Sequence, residues 1–347
     1  MSDSSVDDFF SRQAHEARGP EGESPARRKR KRARRLRRIA LASVLSLVVL
    51  VAGVVVAGYV AVNHYASSVH RITGITALDA AHQPVVPAAF RRGMTVLLTS
   101  SGVIPGAADV RSGLIALVHL DANGRGGGVV SIPADVLVHI PGHGTMQLWN
   151  AQKIGGPSLL IETVEDLTNV RIDHFSVMDF QGATSVVGAL NGVNVDVPFT
   201  FTSDGFTFHA GINHLNAGDV LAYVRQAAES EVIRAELQSN LIRAILDKIA
   251  QDRTNFGAEF HALRALAAAM SVDSNFSDSQ LVSLALRLRH LSGRDGVFIT
   301  APTTGGPGGS AILNQRIARQ LWEAIRHDAL AQFARRFPST VTPGAPA

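Results

Sequence analysis

Residues 27–62 constrain this chain more than any other stretch. Ten of the twelve positions from Arg27 to Arg38 are Lys or Arg, interrupted only by Ala33 and Leu36, and the next 24, Ile39 to Val62, carry no charge. A helix rises about 1.5 Å per residue, so such a stretch reaches roughly 36 Å and crosses a hydrocarbon core of about 30 Å with some tilt. Positive charge stays on the cytoplasmic side. The pattern predicts a single transmembrane helix at 39–62, with residues 1–38 a disordered basic cytoplasmic tail and everything after Asn63 outside. A secretory signal peptide is the competing reading, with cleavage around Ala57 to Ala66. Its apolar core is shorter, about 7–15 residues, and lies nearer the N-terminus. The basic run also suits nucleic acid or nuclear import. Its position against an apolar span favours topology and anionic lipid.

The formal net charge of +4 conceals a division. Residues 1–62 hold 12 basic and 6 acidic side chains, whereas residues 63–347 hold 21 and 23. The external part is therefore not a basic nucleic-acid binder. It contains no cysteine, so disulfides and thiolate metal sites are excluded and stability must come from packing.

Beyond a stalk at 63–92, short apolar runs rich in β-branched residues read as strands. These are Met94 to Leu98, Leu114 to Leu120, Val129 to Ile132 and Val136 to Ile140, with Asp121 to Gly128 as a hairpin turn between the second and third. Pro157 suits a helix start, and Leu160, Val164 and Leu167 share one face. A strand at 171–180, a small-residue helix to Leu190, a strand pair around Ser203-Asp204-Gly205, a helix from Asp219 and a longer one at 231–250 follow. Residues 256–270, 278–291 and 312–337 show helical spacing around a strand at 296–300, and the loop 301–310 is rich in Gly and Pro. This alternation predicts an α/β class, a three-layer α/β/α domain with a mixed central sheet. The expected divisions are a core at 93–255, a helical extension at 256–337 and a disordered tail at 338–347.

The order of motifs carries a resemblance. After a basic head and a membrane anchor come Val130-Ser131-Ile132-Pro133-x-Asp135, Gly155-Gly156-Pro157, Thr163-Val164-Glu165, Ile172-Asp173-His174-Phe175, Val177-x-Asp179-Phe180 and Leu221-x-Tyr223-Val224-Arg225. Together they resemble the LytR-CpsA-Psr family over roughly residues 90–328. The resemblance implies a membrane-anchored extracytoplasmic domain that transfers a glycopolymer from a polyprenyl-pyrophosphate carrier to peptidoglycan with Mg²⁺. Partners would then be membrane lipid, polyprenyl-linked glycopolymer or peptidoglycan, and a catalytic paralogue, with no nucleic acid. Arginine forks suit the pyrophosphate, and carboxylates would hold the ion.

Position by position the charged site is depleted. Where the family's first strand leads into Asp and Arg, this chain has Thr99, Ser100, Ser101 and Gly102. Its Arg-Ser-Asp-Thr motif reads Arg111-Ser112-Gly113-Leu114, so both expected Mg²⁺ carboxylates are absent. Ala134 replaces the Arg before Asp135, Gln147, Leu148 and Trp149 stand at a Lys-Ile-Asn segment, and Ala227 replaces the partner of Arg225. The following Asp-x-x-Arg and Arg-Gln-Gln segment is reduced to Ser230 through Gln238, with Arg234 a displaced substitute. The resemblance leaves Arg111 and Arg225 as catalytic candidates and Arg111, Asp135, Arg225 and Arg234 as phosphate-binding candidates, with no metal ligands assigned.

Other patterns favour structural readings. His139 and His143 are separated by Pro141-Gly142, which breaks helical spacing; Gly126-Gly127-Gly128 lacks the Lys-Ser/Thr of a phosphate loop; Asp173 and His174 point to opposite faces of a strand. Two functions remain: a glycopolymer phosphotransferase of reduced activity, and, slightly favoured, a non-catalytic binder of lipid-linked or acidic wall precursors that acts as scaffold or regulator.

Overall fold

A computed structural model describes residues 69–79, 83–85, 93–101, 113–124, 126–225, 231–251, 264–288 and 296–342, all within one compact unit, Val62–Ala347. The basic run and the span at 39–62 lie outside the described residues. Among those described, no helix is long and apolar enough to cross a membrane.

In chain order the strands are β1 (His70–Ile72), β2 (Met94–Ser101), β3 (Ile115–Leu120), β4 (Gly127–Ser131), β5 (Leu137–Ile140) and β6 (Gly144–Gln147). Helix α1 (Trp149–Thr168), β7 (His174–Asp179) and α2 (Phe180–Ala189) lead to a peripheral group: β8 (Val193–Val197), β9 (Phe201–Ser203), β10 (Phe206–Phe208) and β11 (Gly211–Leu215). Then come α3 (Ala217–Arg225), α4 (Glu231–Gln251), β12 (Met270–Asp273), α5 (Asp278–Leu288), β13 (Gly296–Thr300), β14 (Thr303–Gly305), β15 (Ala311–Leu313), α6 (Gln315–Arg326) and α7 (Leu330–Arg336).

Seven strands form a mixed sheet in the order β1-β12-β7-β2-β3-β4-β13. The hairpin β3–β4 pairs Leu120 with Gly127 and Ala116 with Ser131, as its sequence predicts. β2 runs antiparallel to β3 and parallel to β7, and β13 runs parallel to β4. Side chains alternate across the sheet. Leu97, Ile115, Leu117, Val130 and Phe175 face α1, α6 and α7, while Val96, Leu98, Ala116, Val129 and Phe298 face α4 and α5. Helices therefore cover both faces of a mixed central sheet.

Several expectations are corrected. Residues 70–78, assigned to a stalk, supply β1 and a turn of 3-10 helix whose Ala77 and Leu78 are buried. Arg71 holds this edge by bonding the Phe276 carbonyl and the Asp278 carboxylate. Helix α1 begins at Trp149, eight residues before Pro157, and Gly156, at φ 64°, ψ −154°, breaks it into two segments, the second of which starts at the proline. Proline disfavours the helical region for the residue before it, and glycine reaches the alternative at no steric cost. Residues 312–337 are not one helix: Ile312 lies in β15, and α6 and α7 meet at a corner where Asp328 has φ 52°. Met270, expected to end a helix, begins β12, which pairs with both β1 and β7. The tail expected at 338–347 docks through Thr342, whose N–H donates to the Phe298 carbonyl at 2.9 Å. Lying beside strand β13, residues 338–342 gain a backbone partner that a free tail lacks.

Candidate functional site

Where β2 and β4 end and β3 begins, the described residues Thr99, Ser100 and Ser131 offer neutral polar side chains. Thr99, fully buried, donates from Oγ1 to Gln152 Oε1 at 3.0 Å. Ser100 Oγ accepts from the Leu114 N–H at 3.0 Å. Ser131 at the end of β4 meets Ser239 of α4, hydroxyl to hydroxyl at 2.6 Å.

Beside this end, the α4 and α5 face of the sheet holds a groove with about 130 Å³ of free volume. Its lining is apolar, with Val96, Leu98, Val118, Val186, Leu241 and Ile245 among it, and its polar members are Ser100, Ser176 and Gln238. Gln238 is 4% exposed, and neither its Oε1 nor its Nε2 has a hydrogen-bond partner among the described residues. An unsatisfied buried amide costs about 1–3 kcal/mol. It therefore marks a place where a bound group can compensate.

The sequence candidates sit unevenly around this groove. Arg111 lies outside the described residues. Arg225 ends α3, directly after groove-lining Val224, and its side chain lies outside the described part. Asp135 is half-buried in the turn after Pro133, and its carbonyl accepts from the Ala311 N–H. Arg234 pairs with Glu231 one turn earlier on α4. The structure thus places Asp135 in a turn and Arg234 on α4, and it adds Gln238, the last residue of the reduced segment 230–238, and Ser239 just beyond it. The α4 face carrying them is polar, and only the tertiary packing shows that it is buried.

The motif residues Asp173, His174, Glu165 and Tyr223 are structural. Asp173 Oδ2 accepts from the Thr95 N–H at 2.9 Å. His174 bonds Asp273 through Nδ1 at 3.1 Å, receives the Gln280 amide at Nε2 and stacks on Phe276 at 3.8 Å between ring centroids. Glu165 Oε1 accepts from the Ile172 N–H at 2.8 Å, and burial pushes its carboxyl up to about 7. Tyr223 packs among Phe201 and Phe208, and burial raises its phenol.

The Thr99–Ser131 end offers hydroxyls and an amide as its described donors, a set that does not fit Mg²⁺, which favours carboxylates. Among the described residues, the side chains close enough to share a cation are instead His119, Asp121 and Asp328 at the opposite end of the strands.

Comparison with known proteins places this geometry. The profile of the LytR_cpsA_psr family matches residues 60–323. The polyisoprenyl-teichoic acid–peptidoglycan teichoic acid transferase TagU of Enterococcus faecalis is 31% identical over 163 residues, 46% of this chain and 54% of that one. The chain thus spans about half the length of this relative. Among solved structures, a LytR-Csp2A-Psr enzyme from Actinomyces oris superposes with a TM-score of 0.59 at 20% identity, covering 74% of this chain and 96% of that one. TagT bound to LI-WTA superposes with a TM-score of 0.54 at 24% identity, covering 71% and 95%. Such identities establish the fold, and the profile match over most of the chain establishes the family: this chain belongs to the LytR_cpsA_psr family.

Proposed function

We propose that this protein is a single-pass, membrane-anchored member of its family that holds the polyisoprenyl chain of a lipid-linked glycopolymer in the apolar groove, and that its own transfer of polymer to peptidoglycan is weak or absent. The groove is the observation that carries the reading. Its apolar wall suits a hydrocarbon chain, since burial of apolar area contributes about 25 cal/mol per Å², and the relative TagT has been solved bound to LI-WTA. A tether at 39–62 confines the domain to the surface where lipid-linked polymer is found, raising its effective concentration.

The chemistry is argued from charge. Moving a phosphoryl group requires cations or an ion to neutralise charge as it develops. Arg111 and Arg225 are the proposed phosphate contacts, with Asp135 and Arg234 nearby in sequence order. The described end of the strands holds Thr99, Gln152 and Ser131, which bear no charge, and Ala134 stands where the family has an arginine. The protein then acts as a carrier of the precursor or as a scaffold for a catalytic paralogue. The names of the relatives favour a second reading, a working teichoic acid transferase.

Full-length chain in detergent, given polyprenyl-pyrophosphate-linked glycopolymer, peptidoglycan and Mg²⁺, separates the two. Retention of lipid without polyprenyl phosphate release is expected. Mg²⁺-dependent release abolished by Arg225→Ala establishes the transferase, and failure to retain lipid removes both readings.

A further inference from the structure

At the end of the strands far from Thr99, on the sheet face opposite the groove, three ligating side chains converge. His119 ends the buried stripe of β3 at 3% exposure, Asp121 follows the strand, and Asp328 comes from the corner between α6 and α7. The imidazole Nε2 lies 2.8 Å from Asp328 Oδ1 and 3.8 Å from Asp121 Oδ1. Ligand atoms on a tetrahedral ion with bonds near 2.0–2.1 Å are about 3.4 Å apart. The two observed separations bracket that value.

The surroundings hold these atoms from behind. Thr95 Oγ1, directly across the strand pair, bonds His119 Nδ1 at 2.9 Å and fixes the ring. Ala122 N–H donates to Asp328 Oδ2 at 2.8 Å. Partners of this kind, which orient a ligand through its other polar atom, are typical of ion sites. Close backbone packing leaves the carboxylates room: a Cβ on Gly126 would come 2.4 Å from Asp121 Oδ2, and one on Gly93 would come 3.0 Å from Asp328 Oδ1. Asp328 itself has φ 52°, a left-handed conformation that few residues other than glycine adopt.

A proton-only clasp leaves this arrangement incomplete. A single Nε2–H points at one acceptor, here Asp328. Asp121 Oδ1 is buried and has no hydrogen-bond donor among the described residues. Two carboxylates on one edge of an imidazole also repel each other. One cation satisfies all three ligands at once.

We propose that His119, Asp121 and Asp328 bind one Zn²⁺, with water in the fourth position, tying the β3–β4 end of the sheet to the α6–α7 corner. A nitrogen among the ligands and a small, four-coordinate geometry favour zinc over Mg²⁺ or Ca²⁺, which take oxygen donors in larger numbers. The role is structural, because the site lies at the other end of the strands from the proposed phosphate contacts.

The test uses untagged full-length chain in detergent, stripped with chelator and then dialysed against Zn²⁺, with elemental analysis and thermal unfolding. One zinc per chain is expected, with a rise in Tm of about 5 °C or more at saturating metal. Asp121→Asn should take up no zinc and unfold no lower than the stripped wild type, since Asp121 Oδ1 has no hydrogen-bond donor among the described residues and the repulsion with Asp328 is relieved. His119→Gln serves as the second variant. Substoichiometric uptake, an equal shift in Asp121→Asn, or an equal shift from Mg²⁺ would each overturn the proposal. None of these readouts depends on lipid binding, so failure here leaves the groove reading untouched, and failure of that reading leaves the zinc site standing.

Discussion

The two faces of one sheet have been used in opposite ways. On the α1, α6 and α7 side, Leu97, Ile115, Leu117 and Phe175 are at most 1% exposed, and the large side chains Leu321, Trp322 and Phe333 fill the space above them. On the α4 and α5 side, the neighbours along the same strands, Val96, Leu98 and Val118, line a groove. The difference arises in the covering layer. Helix α4 presents Gln238 beside Leu241, Ile242, Ile245 and Ile249, and α2 contributes only Ala183 and Val186, so these side chains leave a space of the kind that large apolar side chains fill opposite. Close packing makes one face a core, and its omission makes the other a slot.

Adjacent strand residues can break this comparison most sharply. Leu117→Ala should cost about 3 kcal/mol, within the usual range for a fully buried leucine. Val118→Ala, one residue on and facing the groove, should cost less than about 1 kcal/mol, because Val118 is only partly buried at the margin of its cluster. Urea unfolding with matched m-values measures both. Equal costs would mean that the groove is packed in solution. Next in size, Gln238→Leu removes a buried amide that has no partner among the described residues and should raise stability by about 1–2 kcal/mol. If Gln238 meets the polar end of a lipid ligand, the same variant weakens retention of polyprenyl phosphate more than of polyprenol. Ile242→Trp fills the groove from α4 and should reduce lipid retention about tenfold, or about 1.4 kcal/mol, with Tm unchanged or raised.

The sequence was most legible where a long apolar run determined its own structure. β2 and the β3–β4 hairpin are continuous β-branched stretches with Gly-rich punctuation, and their pairing followed. β1 and β12 were not legible, because His70-Arg71-Ile72 and Met270 to Asp273 are short and partly polar, and they become strands only through pairing, β12 with β7 and β1 with β12. The first segment of α1 was concealed by Gly155-Gly156. Motif order identified the family, yet it placed attention on arginines, and the buried polar face of α4 resembles a solvent-facing one until the sheet is placed against it. His119 and Asp328 are 209 positions apart and share no motif, so no local pattern joins them.

The smallest expected effect concerns pH and belongs to the closed face. Glu165 of α1 is 3% exposed, and its carboxyl is pushed up from 4.5 to about 7, chiefly by burial, while the Ile172 N–H and Arg171 pull it partly back. The unfolded chain releases this proton near pH 4.5 and the folded chain holds it to about pH 7. Folding therefore binds the proton between these values, and stability from this group, complete below pH 4.5, declines as pH rises through 7. Between pH 6 and 8 the loss should be at most about 1 kcal/mol, since solvent screens part of the shift. Glu165→Gln keeps an acceptor for Ile172 and has no proton to release, so its stability should be flatter over that interval. An equally steep decline in Glu165→Gln would move the pH dependence elsewhere. A decline that disappears would assign the pH dependence to Glu165 of the closed face.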